Sequence, residues 1–249
     1  MSLCQDCIKG VRHEGTPSGK FEKIGGVDCY IATPDGDYEQ DKVVLYLPDA
    51  LGLHINTYLL VDDHANNGYK TIALDYLNND PVPANFLSSP QTFDVKKWLA
   101  RHGREETRPV LDKVIDALKD QGVKKFAATG YCFGGRYVFD LAFEHIIDVA
   151  IVSHPSLLIS PEDFETYASK AKAPLLINSC TIDMQFPLEA QAKADEFLGN
   201  GQFAPGYRRV HFEGFRHGFA VRGDMSDPKV KAAKEGAFKS AIEWLKTYM

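Results

Sequence analysis

The stretch Phe126-Ala127-Ala128-Thr129-Gly130-Tyr131-Cys132-Phe133-Gly134-Gly135 decides the fold. It opens as a short apolar run, the pattern of a buried strand. It then passes through a glycine-flanked turn into a helical pattern. A strand that turns sharply into a helix at a nucleophilic side chain has the form of a nucleophile elbow, G-x-S-x-G, here with Cys132 in the serine position. The flanking positions must lack bulky Cβ groups, because the turn is strained and the backbones approach closely. The next helix points its N-terminus at Cys132, and its free N–H groups and dipole favour a thiolate. The Phe133 N–H is placed to hold an oxyanion. Two other readings compete: a glycine-rich turn around an inert buried cysteine, and a phosphate loop, for which the G-K-[ST] ending is missing.

Outward from the elbow, short apolar runs alternate with longer amphipathic stretches. Strands are expected at 43–47, 71–74, 149–152, 175–178 and 207–212, and helices at 55–67, 110–119, 188–198 and 229–248. That alternation predicts an α/β fold, a mostly parallel central sheet with helices on both faces. With no repeat or linker, residues 1–249 read as one domain. Residues 1–20 read as a loosely pinned N-terminal arm. Residues 76–108 carry Pro81, Pro83 and Pro90 among Asn and Ser, the composition of a lid over a site or of a plain surface loop.

A nucleophile of this kind needs an acid and a histidine later in the chain, in that order. His217 lies in Gly214-Phe215-Arg216-His217-Gly218, after the expected last strand, and Asp183 follows the one before it. Asp183 would fix the tautomer of His217 and stabilise its cation. His154, after the 149–152 strand, reads as pocket lining rather than as the base. The other histidines read as surface or structural side chains. A second oxyanion donor is expected in Pro48-Asp49-Ala50-Leu51-Gly52, from the N–H of Ala50 or Leu51. In the same loop Asp49 either faces the thiol, raising its pKa or taking its proton, or merely makes the turn.

Composition bounds the partners. There are 28 Lys and Arg against 34 Asp and Glu, a formal charge of −6. Mild acidity argues against nucleic acid and against a polybasic membrane surface. At 44% hydrophobic and 25% charged residues, the chain is composed like a globular protein. Five cysteines do not resemble a secreted disulfide framework. The start, MSLCQDCIKG, has no apolar core of a signal peptide, so a reducing, cytoplasmic setting is expected. Cys4, Cys7 and His13 supply only three ligands, too few for a structural zinc site. Cys29 and Cys180 read as ordinary buried thiols. No metal or organic cofactor is expected.

The residues around Cys132, Asp183 before Pro187, and 213–219 around His217 resemble the dienelactone hydrolase family, a thiol branch of the α/β-hydrolase fold. The resemblance runs from about Phe21 to Tyr248. Cys4-x-x-Cys7 and Gly15-Thr16-Pro17-x-Gly19 look like its fungal branch. It implies hydrolysis of a small-molecule lactone or ester through a thioester, with Cys132 as nucleophile, His217 as base and Asp183 as its partner, in a monomer or homodimer. The family usually has a Glu controlling the thiol proton where Asp49 stands here. The bacterial members also bind a substrate carboxylate through arginines. Arg222 is the nearest match to one of them. No Arg occurs between Val43 and Ala100 to match the other, leaving Lys96, Arg101 and Arg104 as stand-ins. The resemblance therefore points away from dienelactone itself, and Phe86, Phe93 and Trp98 either suit a larger aromatic or polyketide-like lactone or simply pack the lid onto the core. An isomerase or cyclase, or a thiol-based binding or redox protein on the same fold, are the alternatives.

Overall fold

The computed structural model describes residues 10–87 and 93–249. Cys4, Cys7 and Pro90 lie outside the described residues. The chain runs β1 (Lys20–Ile24), β2 (Val27–Ala32), β3 (Lys42–Leu47), α1 (Ile55–Asn66), β4 (Thr71–Leu74), α2 (Val95–Leu99), α3 (Arg104–Asp120) and β5 (Lys125–Tyr131). It continues through α4 (Gly134–Phe143), β6 (Val149–Ser153), α5 (Glu162–Lys170), β7 (Leu175–Ile182), α6 (Leu188–Leu198), β8 (Tyr207–Arg216) and α7 (Pro228–Tyr248). The eight strands form one sheet in the order β1-β2-β4-β3-β5-β6-β7-β8. The β1–β2 and β2–β4 pairings are antiparallel and all the others parallel.

Period-two alternation splits each central strand between two cores. In β3, Val43, Leu45 and Leu47 face the layer formed by α3, α4, α5 and α6, while Val44 and Tyr46 face α1 and α7. Both faces are thus covered, as a parallel sheet requires. No helix among the described residues is long and apolar enough to cross a membrane.

Two expectations change, and a third is narrowed. Residues 10–19 are clamped rather than loose: Arg12 pairs with buried Asp62 and Asp63 at 2.9 Å each, and Asp62 also accepts from the Ser18 N–H and the Tyr30 hydroxyl. The sheet gains β1 and β2; the apolar signal of β1 is weak because it is exposed except for Ile24, whereas β2 is largely buried. Their mark in the sequence is Gly25-Gly26, which turns the hairpin with φ of 57° and 80°. The 76–108 region, read as a lid or a surface loop, packs on the core at Trp98. Trp98 is buried, donates its indole N–H to the Asp80 carbonyl at 2.7 Å and stacks on His102.

Strand order sets the place of the site. From β3 the chain crosses to β4 on one side and later returns to β5 on the other. Loops leaving the C-terminal ends of β3 and β5 therefore diverge, and a crevice opens between them.

Candidate active site

Cys132 sits directly after β5 with φ of 49°, in the left-handed region that non-glycine residues rarely adopt. The glycines around it are enforced by contact. A Cβ on Gly130 would come within 2.6 Å of the Gly134 carbonyl oxygen, one on Gly135 within 2.7 Å of the Pro155 side chain, and one on Gly134 would run into the Leu47 carbonyl oxygen. The turn is locked by the Cys132 carbonyl, which accepts from Gly135 and Ser156 N–H groups at 2.9 and 3.0 Å. The Ser156 hydroxyl lies 3.7 Å from the thiol, a neighbour that sequence reasoning missed.

β7 and β8 bring the acid and the histidine together. Ile182 pairs with Arg216 across an irregular register, so the next residue on each strand, Asp183 and His217, emerge side by side. His217 Nδ1 lies 2.8 Å from Asp183 Oδ1. The same carboxylate accepts from the Gln185 and Phe186 N–H groups, and these bonds fix its orientation. Asp183 therefore sets the proton on Nδ1 and leaves Nε2 free to act. Nε2 is buried and makes no regular hydrogen bond among the described residues. Burial disfavours the His217 cation, but the Asp183 hydrogen bond and the adjacent Cys132 side chain outweigh it and push the imidazole up to about 10.

His154 is corrected. It is wholly buried with φ of 39° and lies behind His217, ring centroids 4.8 Å apart, instead of lining the cavity. Neither ring nitrogen has a hydrogen-bond partner among the described residues. Burial, reinforced by the charges of His217 and Arg222, holds it well below the ordinary histidine range, as a neutral ring.

The β3 loop gives a sharper answer than the sequence could. The Leu51 N–H is spent on Asp49 Oδ1 at 2.9 Å, so it is removed as an oxyanion donor. The N–H groups of Ala50 and Phe133 have no described partner. Asp49 itself is buried and faces Arg222, whose guanidinium donates to Oδ2 through both terminal nitrogens. His54 Nε2 stands 3.7 Å from Oδ1, a second contact not foreseen. Burial opposes ionisation of Asp49, but His54, Arg222 and the Leu51 N–H outweigh it and hold the carboxyl below its usual range. Among the described residues Asp49 makes no hydrogen bond to Cys132.

Cys132, Phe133, Ala50, His217 and Arg222 all line one cavity of about 290 Å³, walled by Phe86, Val95 and Trp98. A larger open groove of about 900 Å³ runs along β8 and α7, but Cys132 does not line it. Of the stand-in cations, Arg101 pairs with Asp80 and Arg104 with Asp140 and Glu144. Neither they nor Lys96 line the cavity. Cys29 and Cys180 are buried thiols, both pushed up to about 12 by burial. Among the described residues no three His, Cys, Asp or Glu side chains converge as a metal site.

Comparison with known proteins reaches the same place. "Dienlactone hydrolase 1" of Gibberella moniliformis is 36% identical over 98% of this chain and 92% of its own length. "Hydrolase pyvD" of Aspergillus violaceofuscus is 31% identical over 98% of this chain and 96% of its own. A dienelactone hydrolase-like promiscuous phosphotriesterase from metagenomic libraries superimposes with a TM-score of 0.65 at 19% identity, covering 92% of this chain and 98% of that one. That likeness speaks for the α/β-hydrolase fold. The model of the dienelactone hydrolase family matches residues 27–249, every strand from β2 onward, and on that match this chain belongs to the dienelactone hydrolase family.

Proposed function

We propose that this chain is a cysteine hydrolase of uncharged lactones or activated esters. The observation that carries the reading is that Cys132 and His217, from different loops, line one cavity beside two backbone N–H groups with no partner among the described residues, while Asp183 holds His217 at Nδ1. With its proton already on His217 Nε2, Cys132 Sγ attacks the carbonyl carbon. The Ala50 and Phe133 N–H groups hold the developing oxyanion, and one such donor is typically worth about 3 kcal/mol. The carbon–oxygen bond then breaks, and His217 returns the proton to the leaving alkoxide. Water, deprotonated by His217, attacks the thioester, and the thiolate leaves with that proton kept on His217. Asp183 keeps Nδ1 protonated and offsets the charge of the imidazolium.

The Asp49–Arg222 pair supports the uncharged substrate class. A guanidinium already held by a buried carboxylate offers little to a substrate carboxylate. The aromatic wall of Phe86 and Trp98 favours a ring-bearing acyl group.

Cys132→Ala and the wild-type chain would be compared on an aryl ester and an enol lactone, with intact mass measured during turnover. The expected result is loss of at least three orders of magnitude in kcat and an acyl adduct on Cys132 in the wild type. Unchanged turnover in the variant rejects the reading.

A further inference from the structure

The loop that leaves β6, His154-Pro155-Ser156-Leu157, is built against the nucleophile. Two of its four residues, His154 and Leu157, hold left-handed backbone at φ of 39° and 62°. Pro155 packs so close to α4 that Gly135 has no room for a Cβ. Strain of this kind persists only where the surroundings impose it, and it gathers at functional sites. Its effect here is to fix Ser156 against Cys132 at two points. The Ser156 N–H donates to the Cys132 carbonyl at 3.0 Å, and the Ser156 hydroxyl lies 3.7 Å from Cys132 Sγ. Sulfur is large and polarisable, and a hydroxyl still serves it at that length. Ser156 is buried and lines the same cavity as Cys132, His217 and Ala50. Its hydroxyl bonds to nothing else among the described residues.

The other polar groups near the sulfur have their own partners. Asp49 is held by Arg222 and the Leu51 N–H. Tyr76 gives its hydroxyl to the Pro48 carbonyl, and burial keeps that phenol neutral. Asp183 holds His217 at Nδ1. The Ser156 hydroxyl is therefore the uncharged side-chain donor that the fold sets on the sulfur. A thiolate has no hydrogen to give, so against it the hydroxyl can only donate.

We propose that Ser156 is a further catalytic residue, whose hydroxyl donates a hydrogen bond to Cys132 Sγ when the sulfur is charged. In a turnover that happens twice. The first occasion is before attack. The second comes when the carbon–sulfur bond of the thioester breaks and its electron pair returns to sulfur. No proton leaves Ser156 in either step. In the thiol and the thioester the sulfur is neutral and the bond is weak, so the hydroxyl favours the thiolate over both.

The place of Ser156 in turnover rests on the cysteine-hydrolase reading, but the bond itself is tested without a substrate. Alkylation of Cys132 by iodoacetamide would be followed across pH in wild type and Ser156→Ala, read by mass spectrometry on the peptide that carries Cys132. The alanine keeps the backbone lock and removes the hydroxyl. The ionisable groups around the sulfur, His217, Asp49, Arg222 and Tyr76, are the same in both chains. In Ser156→Ala the midpoint of the profile should rise by about one pH unit, the scale of a hydrogen bond to a charged group, while the rate on its alkaline plateau is kept. The acid limb of kcat/KM for an aryl ester should move with it. An unmoved midpoint overturns the proposal, and so does a rate lowered equally at every pH, the mark of a merely structural side chain. A chain that turns over with its acid limb unmoved overturns the catalytic role. A raised midpoint in a chain that hydrolyses no ester retains the hydrogen bond and rejects the hydrolase reading.

Discussion

In the proposed reading, Asp49 sets what the site accepts. The carboxylate is buried, yet it is ionised because Arg222, His54 and the Leu51 N–H surround it. Breaking such a pair by removing one partner leaves a charge uncompensated. Asp49→Asn is the mild form of that change, since the amide keeps the shape and the Leu51 contact while Arg222 loses its counter-charge. The guanidinium then becomes available to a substrate. The ratio of kcat/KM for a carboxylate-bearing aryl ester to that for its methyl ester should rise about tenfold, the worth of a charge-assisted hydrogen bond. Steady-state kinetics on the matched pair would show it, and an unchanged ratio would mean that Arg222 does not face the acyl group. His154 makes the complementary point. Its place after a strand suggested a polar pocket residue, but a ring with no hydrogen-bond partner at either nitrogen among the described residues is a packing element behind His217.

At the scale of elements, the β5–α4 turn carries the most information per residue. Gly134 lies where the helix crosses the Leu47 carbonyl of β3, with no room for a methyl group. Gly134→Ala must push α4 off the sheet, at a cost of about 3 kcal/mol, or roughly 10 °C in Tm for a chain of this size. Gly122→Ala is the control. Its φ is 93°, but nothing lies within 4 Å of the added Cβ, so only the smaller conformational strain applies, about 1 kcal/mol. Differential scanning calorimetry should rank them in that order, and equal losses would remove close approach as the reason for Gly134. The same contrast explains what the sequence could announce. The elbow, the 188–198 helix and the parallel strands were legible because each repeats an apolar period or needs special backbone residues. The start of α3 was not, because Pro109 inside the helix reads as a boundary and the helix runs back to Arg104. The tails of β7 and β8 were also hidden. Residues 181–182 and 213–216 continue as strand through exposed or half-buried positions, held by pairing across a register shift rather than by full burial. That extension carries Asp183 to His217, so chain order named the two as candidates while their contact was hidden.

For the whole molecule, three histidines give opposite limbs to a stability profile. His64 is buried between α1 and α7, its ring 5.0 Å from Phe238, and burial holds it at about 4 although Nδ1 bonds to the Leu60 carbonyl. An unfolded histidine titrates near 6.5. Between these values the unfolded chain binds a proton that the folded chain refuses, so stability falls as pH falls from 6.5 towards 4. His154 acts in the same direction, again through burial. His217 acts oppositely. Its folded pKa is raised to about 10, so its contribution is complete below 6.5 and is lost as pH climbs towards 10. Together these shifts place a maximum near neutrality. For His64 alone the acid limb should cost about 1.4 kcal/mol per pH unit, or about 3 kcal/mol over the whole window. His64→Leu removes the titrating group and its unpartnered Nε2 while keeping an apolar side chain between the helices. Urea unfolding at pH 4.5, 5.5 and 6.5 should therefore give a shallower decline in the variant, by about one proton's worth of slope. His217→Asn should leave that limb unchanged and flatten the alkaline one between pH 7 and 10. An acid limb of equal steepness in His64→Leu and wild type would mean that His64 is not held neutral by the fold, and that carboxylates alone set the stability below neutrality.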